Sequence, residues 1–409
     1  MYVSRLRVSG VRGFHGNRSV DLTFTRPDGS HAGWTVLAGR NGSGKTSLLR
    51  ALAVGLVEPK TAILLAPRFF EWRSHDTAEG TVQVWNEPNG RNTQVSLFNN
   101  RTAGWVSDPR DGFAAGYGPF RRLSGGTAGA DRVMDGPDEA SRFVTLFHEE
   151  ASLAEAVTWL INLHLKRLEK RPGASELLDT VLALLADGLL PDGFRVEKVD
   201  SEGLWVTRQG HAFPLREMSD GYRTVTALVL DLVRHLHTAH GTLPTERSED
   251  GTLAIPLPGV VLVDEIDAHL HVSWQQRIGD WLKAHFPRIQ FIVTTHSPYI
   301  CQAADPGGLI RLAGPDEDAP PRVVDEDLYR RIVYGSGDDA VLSELFGLES
   351  PYSPRAVDLR QQLVELESRV LSGTATEAEV ERYQQISHML TSSLSARVDE
   401  VSARLGGHE

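Results

Sequence analysis

The order of apolar and polar residues along the chain predicts strands of two kinds. Residues 2–8 and 20–24 alternate apolar and polar side chains, which is typical of a strand with one buried face. Residues 34–38, 259–263 and 289–295 are instead apolar almost throughout, which is typical of strands buried on both faces of a parallel sheet. Because parallel strands are usually joined by helices, this pattern indicates an α/β fold with a mixed sheet.

Helical periodicity is found between these strands, where apolar residues recur at spacings of three and four. The stretch between the first and second buried strands also holds short pieces with strand-like alternation. Predicted helices cover residues 47–54, 152–165, 174–187, 221–239 and 273–285, and predicted short strands cover residues 81–85, 94–98, 194–199 and 204–207.

A chain of 409 residues is long enough for two or three domains, and the pattern divides it into four parts. Residues 1–60 and 211–313 carry the buried strands and are expected to form one α/β domain, which we name the head. Residues 61–210 form an inserted region of short strands and helices. Residues 325–409, which follow an acidic Pro-rich linker, form a charged helical C-terminal extension.

Composition narrows the class of protein. The single cysteine, Cys301, excludes an intramolecular disulfide and a cysteine-based zinc site. No apolar run approaches the roughly 18 residues that cross a bilayer, and the N-terminus lacks the apolar stretch of a signal peptide. The net charge of −12 argues against broad coating of nucleic acid. We therefore expect a cytoplasmic protein without a membrane partner.

A glycine-rich stretch after the first buried strand matches the pattern G-x-x-x-x-G-K-[ST] of a phosphate-binding P-loop. The strand before it and the predicted helix after it are the context that this pattern requires, and they disfavour a chance Gly-rich turn. Lys45 is expected to contact the β- and γ-phosphates of a nucleotide, and the Thr46 hydroxyl to bind Mg²⁺. The predicted nucleotide-binding residues are Gly39, Arg40, Asn41, Gly42, Ser43, Gly44, Lys45 and Thr46.

Two acids follow the second buried strand, in the sequence Val-Val-Leu-Val-Asp-Glu at residues 260–265. They stand where a strand ends, at the edge of the sheet where α/β proteins bind ligands. Together with the P-loop this is the Walker B pattern. Asp264 is expected to hold Mg²⁺, and Glu265 is the candidate general base for the attacking water. Without the P-loop, the same residues would fit a strand that ends in solvated acids.

Two further motifs complete the set. His296 follows the third buried strand, which is joined to the second by one helix, a connection that places parallel strands side by side. We interpret His296 as a sensor of the γ-phosphate, although a histidine at a strand end is more often structural. Ser219 and Gly221 stand at the start of the helix at 221–239 as a favourable N-cap and a site of close backbone approach. This segment alone would fit an ordinary capped helix.

Taken in order, the four motifs resemble those of the ABC-type ATPases, in the soluble branch that includes repair and SMC-like ATPases. The later two read Val-Asp-Glu-Ile-Asp-Ala-His-Leu-His at 263–271 and Thr-Thr-His-Ser-Pro at 294–298. Within that branch, residues 117–121, 216–224 and 343–348 are similar to segments of bacterial AAA-family ATPases of anti-phage defence, such as the ATPase subunit of Septu-type systems and related retron systems. The resemblance covers most of the chain and implies an ABC-type ATPase head.

The resemblance also implies a composite site. In these ATPases two heads enclose two ATP molecules, and the signature segment of one head contacts the γ-phosphate bound to the other. Ser219, Asp220 and Gly221 take the signature positions, although the transporter signature reads Leu-Ser-Gly-Gly-Gln. Asp267 and His269 take the positions of the D-loop, which crosses the interface.

The implied ligands are ATP and Mg²⁺, and the implied reaction is hydrolysis of ATP to ADP and phosphate. The implied partners are a second copy of this chain, with higher oligomers open, and a separate nuclease effector such as an HNH protein. DNA binding stays open. Gln83 and Gln94 are candidates for the Q-loop glutamine, and each fits a solvent-facing strand position equally well.

Three functions remain in competition after these motifs. The first is an ATPase switch that controls an effector nuclease in anti-phage defence. The second is a DNA repair or chromosome-maintenance ATPase, which predicts a long coiled coil between the P-loop and the signature. The third is the nucleotide-binding subunit of a transporter, which predicts a glutamine-ended signature and a clear Q-loop. Residues 61–210 lack the long coiled-coil pattern, and the signature ends in Tyr222, so the first function is favoured.

Two clusters of ionisable residues could suggest metal sites, but we interpret both without a metal. His235, His237 and His240 lie on the fourth predicted helix and at its end. Because residues two apart point to different sides of a helix, we expect surface histidines and no metal site. The acids at 316–318 and 325–327 lie in a polar, Pro-rich stretch, so we expect them to be solvated and not to form the metal site of a nuclease.

Overall fold

The computed structural model describes residues 1–26, 28–88, 90–107, 112–121, 138–348 and 350–390. The chain divides into two compact units, Met1–Phe346 and Gly347–Glu409. The first unit includes residues 325–346, which the sequence analysis placed in the C-terminal extension. Leu328, Tyr329 and Ile332 of this stretch are buried in the core of the first unit, which explains where the unit ends. The predicted division into four parts otherwise stays a prediction.

The first unit contains both strands and helices, and several of its strands follow one another without an intervening α-helix. The described strands are β1 (Tyr2–Ser9), β2 (Val20–Thr23), β3 (Trp34–Ala38), β4 (Glu79–Glu87), β5 (Arg91–Phe98), β6 (Ala103–Ser107), β7 (Phe113–Tyr117), β8 (Arg195–Asp200), β9 (Gly203–Arg208), β10 (His211–Pro214), β11 (Glu246–Arg247), β12 (Leu253–Ala254), β13 (Gly259–Val263), β14 (Ile289–Thr295), β15 (Leu309–Arg311) and β16 (Arg322–Val323).

α-Helices follow β3, β7, β10, β13, β14 and β16, and they make up most of the described part of the second unit. The described α-helices are α1 (Lys45–Leu56), α2 (Pro59–Leu65), α3 (Asp138–Ser141), α4 (Val144–Phe147), α5 (Ala154–Leu168), α6 (Ala174–Ala186), α7 (Asp220–His240), α8 (Val272–Gln275), α9 (Ile278–His285), α10 (Pro298–Gln302), α11 (Glu326–Val333), α12 (Gly337–Val341), α13 (Pro354–Leu371) and α14 (Glu377–Met389), with short 3₁₀ helices at Gly16–Arg18, Phe69–Trp72 and Leu215–Glu217.

A six-stranded mixed sheet forms the centre of the first unit, in the order β16-β15-β3-β14-β13-β7. Its last five strands are parallel to one another, and the short edge strand β16 is antiparallel to β15. The strand that carries the P-loop, β3, pairs with β14, which in turn pairs with β13. The order of the sheet therefore brings the three predicted buried strands side by side.

Successive residues of these parallel strands face two different cores. In β13, Val260 and Leu262 pack in the cluster that contains α1 and the inner face of the sheet formed by β1, β4 and β5. Val261 and Val263 pack in the other cluster, with α5, α6 and α7. Burial on both faces requires apolar side chains at every position, which is why β13 is apolar throughout.

Two larger antiparallel sheets accompany the central sheet in the first unit, and β11 pairs with β12 in a two-stranded one. β2, β1, β4, β5 and β6 form a five-stranded sheet, whose alternating apolar residues close over α1. β8, β9 and β10 form a smaller sheet beside α5 and α6. The predicted strands at 81–85, 94–98, 194–199 and 204–207 are confirmed as parts of β4, β5, β8 and β9.

Two sequence interpretations are wrong in detail. The predicted helix at 273–285 is two helices, α8 and α9, separated at Gln276 and Arg277. His235 is buried and not on the surface, because its Nε2 lies 3.3 Å from the carboxylate of Asp231, four residues earlier on the buried side of α7.

The second unit contributes two described helices, α13 and α14, which pack against each other. The Ser353 side chain caps α13, and Thr376 forms a capping box with Glu379 at the start of α14. Arg369 of α13 forms an ion pair with Glu379. Residues 391–409 of the predicted extension lie outside the described residues. Within the described ranges, no helix is long and apolar enough to cross a membrane.

Candidate nucleotide-binding site

Four parallel strands end at one edge of the central sheet. Ala38, the last residue of β3, lies opposite Thr295, the last residue of β14. Val263, the last residue of β13, lies opposite Val293 of β14 and Tyr117, the last residue of β7. The residues that follow these strands therefore meet at this edge, and they include the P-loop, the Asp-Glu pair and His296.

The P-loop connects β3 to α1 through left-handed glycines. Gly44, at the N-cap of α1, has a φ of 95°, which an L side chain rarely adopts. A Cβ at this position would also lie 2.8 Å from the Phe14 ring, so glycine is required on two grounds. The loop backbone can therefore turn its N–H groups toward a bound anion at the start of a twelve-residue helix.

Lys45 is buried inside this loop with only 6% of its surface exposed. Its Nζ donates to the carbonyl oxygens of Gly39 and Arg40, at 2.7 and 3.2 Å. Burial lowers the pKa of Lys45 to about 8, and the negative charges of Glu265 and Asp264 oppose that shift. The ammonium group is therefore held between the loop carbonyls and the field of the acids that follow β13.

Thr294 fixes both acids of the predicted Walker B pair. Its Oγ1 donates to Asp264 Oδ1 at 2.6 Å and accepts from the Glu265 backbone N–H at 2.7 Å. Asp264 is 1% exposed, whereas Glu265 is partly accessible and has a left-handed φ of 44°. Burial and the neighbouring Asp264 charge raise the pKa of Glu265. The Asp264 carboxylate is thus held in place by a hydrogen bond, and the Glu265 carboxylate is accessible at the edge of the sheet.

Arg121 binds the backbone of the same turn from the other side. Its guanidinium donates to the carbonyl oxygens of Gly118, Asp264, Glu265 and Ile266, at 2.7 to 3.3 Å. The side chain is 2% exposed, and burial lowers the pKa of Arg121 to about 10. Arg121 therefore ties the residues after β7 to the three residues after β13.

The candidate D-loop is attached to the end of β14. Asp267 Oδ1 accepts from Thr295 Oγ1 at 2.5 Å and from the His296 backbone N–H at 3.4 Å. Ser297 Oγ donates to Gln275 Oε1 at 2.6 Å, and the Gln275 amide donates to the Leu270 carbonyl. The loop between β13 and α8 is therefore held against the strand end that carries His296.

His296 is exposed at this edge, and it is close enough to Lys45, Asp264 and Asp267 for their charges to act on its ring. Its pKa is lowered by burial of the ring and by the Lys45 charge, which favours neutral imidazole. A neutral imidazole donates one hydrogen bond from its protonated nitrogen and accepts one at the other nitrogen. The ring thus stands where a side chain could contact a phosphate held by the P-loop.

The predicted signature lies next to the candidate D-loop of its own chain. Ser219 is the N-cap residue of α7 and is exposed, and its side chain makes no capping hydrogen bond. A Cβ on Gly221 would lie 2.5 Å from the His269 carbonyl oxygen, so glycine permits this close packing. Asp220 pairs with Arg223 at 3.1 Å. The hydroxyl of Ser219 is thus presented at the surface at the start of α7.

The two candidate Q-loop residues lie in the five-stranded sheet and contact each other. Gln83 of β4 is directly opposite Gln94 of β5, and its Nε2 donates to Gln94 Oε1 at 2.8 Å. The arrangement favours the strand interpretation for both. The strand end adjacent to Asp264 is that of β7, and it is followed by Gly118 and Arg121.

Four residues near the site were not assigned a role from the sequence. They are Arg121, Thr294, Thr295 and Arg12, whose Nη1 donates to Ser47 Oγ at 2.8 Å while its guanidinium lies 4.3 Å from the centre of the Trp72 ring. The two threonines end an apolar strand immediately before His296, a position that could have signalled a role. The arginines gave no such signal, because their partners are distant in sequence.

The fold and the arrangement of the site are those of the α/β P-loop ATPase fold. Two family models match separate stretches of the chain. The model described as "AAA domain" matches residues 5–109, and the model described as "AAA domain, putative AbiEii toxin, Type IV TA system" matches residues 138–302. These stretches contain the P-loop, the Asp-Glu pair and His296. The predicted α/β P-loop fold is confirmed.

More particularly, the chain resembles the Septu protein PtuA. It is 26% identical to PtuA of Bacillus mycoides (strain KBAB4) over 294 residues, which are 70% of this chain and 37% of that protein. It is 43% identical over 105 residues to the Escherichia coli protein named "Retron Ec83 probable ATPase", covering 25% of this chain and 17% of that protein. The chain thus spans less than half the length of each relative. The predicted resemblance to Septu-type and retron ATPases is confirmed.

Among solved structures, the SMC head domain from Thermotoga maritima matches with a TM-score of 0.46 and 16% sequence identity. The match covers 80% of this chain and 100% of that domain.

Proposed function

We propose that this chain binds ATP together with Mg²⁺ and hydrolyses it to ADP and phosphate by cleaving off the γ-phosphate. The observation that carries the proposal is the convergence of the glycine loop, Lys45, Asp264, Glu265 and His296 at one edge of the parallel sheet. The loop N–H groups and the buried ammonium of Lys45 suit a triphosphate, because they offer donors and positive charge in one small space.

The oxygen ligands at this edge fit Mg²⁺. In nucleotide sites this ion is held by one or two protein oxygens and takes its other ligands from phosphates and water. Asp264 offers a buried carboxylate that Thr294 orients, and Thr46 offers a hydroxyl in the first turn of α1, next to Lys45. When bound, the ion would neutralise charge on the phosphate oxygens.

Glu265 is the proposed general base. Its carboxylate is more accessible than that of Asp264, and its raised pKa favours acceptance of a proton from water. Asp264 and Glu265 therefore have different surroundings that suit different tasks, one as a fixed ion ligand and the other as a base. His296 is proposed to contact the γ-phosphate from the neighbouring strand end.

We further propose that two copies of the head enclose the nucleotide. The exposed Ser219 hydroxyl and the start of α7 would contact the γ-phosphate of the partner, with Asp267 and His269 at the interface. Because Gly221 packs on the His269 carbonyl, the signature and the D-loop would move together. Nucleotide binding would then control the distance between the two heads.

The likeness to the Septu protein PtuA supports a role in anti-phage defence, with ATP state controlling a separate nuclease effector. The chromosome-maintenance alternative expects a long coiled coil between the P-loop and the signature. The described part of that region instead contains α5 and α6, helices of 15 and 13 residues that pack in the core of the head.

A Glu265→Gln variant tests the proposed activity. The amide keeps the size of the side chain but cannot accept the proton, so ATP turnover should fall by about 10²–10⁴-fold while ATP binding is retained. Phosphate release and equilibrium ATP binding are the two measurements. Glu246→Gln, on the exposed strand β11, is the matched control and should leave both unchanged. Wild-type turnover by Glu265→Gln would show that the base is another residue.

A further inference from the structure

Arg121 is a buried arginine whose hydrogen bonds within the described part of the chain all go to backbone carbonyl oxygens. Its Nη1 donates to Gly118 and Asp264, and its Nη2 donates to Glu265 and Ile266. A guanidinium is suited to this task because its donors are rigid, planar and spread over two nitrogens. A lysine in the same place would bring one nitrogen and could not reach all four carbonyls in this arrangement.

The turn that Arg121 holds is the one that presents Glu265. Glu265 has a φ of 44°, a conformation that disfavours residues with a Cβ, so the surroundings must stabilise it. Thr294 holds the Glu265 N–H on one side, and Arg121 holds the carbonyl oxygens of Glu265 and its two neighbours on the other. The backbone of the candidate base is thus fixed at both its donor and its acceptor.

The charge around Arg121 is consistent with a positioning function. Its guanidinium is buried, and the carboxylates of Asp267, Asp264 and Glu265 surround it closely enough to favour the charged form. Among the described residues, the hydrogen bonds of Arg121 go to carbonyl oxygens and to none of these carboxylates. Besides the effect of its charge on Glu265, Arg121 therefore acts on the acids through the turn that carries them, and it leaves their oxygens available for other ligands.

We propose that Arg121 is a positioning residue for ATP hydrolysis, which holds the left-handed turn at residues 264–266 and thereby aims the Glu265 carboxylate at the attacking water. The inference rests on the proposed function of Glu265 as general base. Arg121 is assigned to hydrolysis and not to ATP binding, because none of its described hydrogen bonds goes to the P-loop or to Lys45. Its loss should therefore lower kcat and leave ATP affinity nearly unchanged.

The test is a set of variants of the full chain, with Arg121→Lys as the central one. It keeps the charge but loses the four-carbonyl geometry. A displacement of about 1 Å in a reacting group can cost about 10²-fold in rate, so we expect kcat to fall by about 10–100-fold with ATP affinity within about threefold of wild type. Arg26→Lys is the matched control, because Arg26 donates to the Pro306 carbonyl outside the site and should tolerate the change.

A double variant separates positioning from a general structural effect. If Arg121 acts through Glu265, Arg121→Lys should add less than about twofold to the loss caused by Glu265→Gln, measured by single turnover. Independent, multiplying losses would overturn the proposal, as would a wild-type kcat in Arg121→Lys. A failure of both Arg121→Lys and Arg121→Gln to fold by circular dichroism would also overturn it, since Arg121 would then serve the fold. If Glu265→Gln alone has wild-type turnover, the proposed function fails first.

Discussion

At the scale of single residues, Lys45 combines burial with positive charge. Burial lowers its pKa to about 8, and its only described hydrogen bonds go to the carbonyls of Gly39 and Arg40 in its own loop. A triphosphate would give the ammonium stronger partners than these neutral oxygens, since the attraction between opposite charges adds to the hydrogen bonds. The residue is therefore placed to respond to nucleotide.

We predict that Lys45→Ala loses most of its ATP affinity. A hydrogen bond to a charged group contributes about 1.5–3 kcal/mol, which corresponds to a loss of about 10–100-fold in Kd. Calorimetric titration with ATP and Mg²⁺ measures this loss. Lys60→Ala, at an exposed position of α2, is the control and should bind ATP normally. Equal affinity in Lys45→Ala and wild type would contradict the phosphate contact assigned to Lys45.

At the scale of secondary structure elements, α7 carries the predicted signature at its N-terminus and is joined to α5 by an ion pair. Asp231 of α7 is buried and pairs with His235 and Arg234, and Arg234 also pairs with Glu155 of α5. Burial raises the pKa of Asp231, but its partners outweigh burial and lower it, so the carboxylate stays charged. The pair with Glu155 joins α7 to α5, whereas the two Asp231 pairs lie within α7 itself and stabilise that helix.

The composite site predicts complementation between two inactive variants. Ser219→Arg should bind ATP almost normally but hydrolyse it poorly, because its signature cannot approach the partner's nucleotide. Lys45→Ala should lack a working P-loop. A mixture of the two should contain heterodimers with one intact site, so part of the ATPase activity should return on mixing.

The control for this experiment is Ser248→Arg, in the exposed loop between β11 and β12, which should remain active by itself. Heterodimer formation is checked by mass measurement of differently tagged chains. Heterodimers that form and close on ATP without any recovery of activity would show that the two sites do not share residues in the proposed way. Heterodimers that fail to close would show that both sites must bind ATP together.

At the scale of the whole molecule, the end of the first unit changes how the C-terminal region should be tested. A chain that stops before Pro321 would lose β16 and α11, and with them the buried side chains of Leu328, Tyr329 and Ile332. The Tyr329 hydroxyl also donates to the Ala304 carbonyl at 2.8 Å. Removal of two or more such buried side chains costs several kcal/mol, so this truncation should unfold the head.

We predict that a chain ending at Phe346 folds and binds ATP, whereas one ending before Pro321 does not fold. Thermal unfolding and ATP titration compare the two. The same longer truncation tests whether residues 347–409 assist assembly or dock the effector, by mass photometry and by capture of a nuclease encoded beside this chain. Normal assembly and normal capture without these residues would show that they have neither function.

The amino-acid sequence by itself determined the buried strands, the P-loop, the Asp-Glu pair and the position of His296, because each depends on residues close together in the chain. Local periodicity and glycine placement were sufficient for these. Only the tertiary structure decided which backbone carbonyls Arg121 contacts, that His235 is buried beside Asp231, and that residues 325–346 belong to the first unit. Each of these depends on contacts between segments far apart in sequence, and a local pattern of apolar and polar residues does not encode which distant group a buried polar side chain will meet.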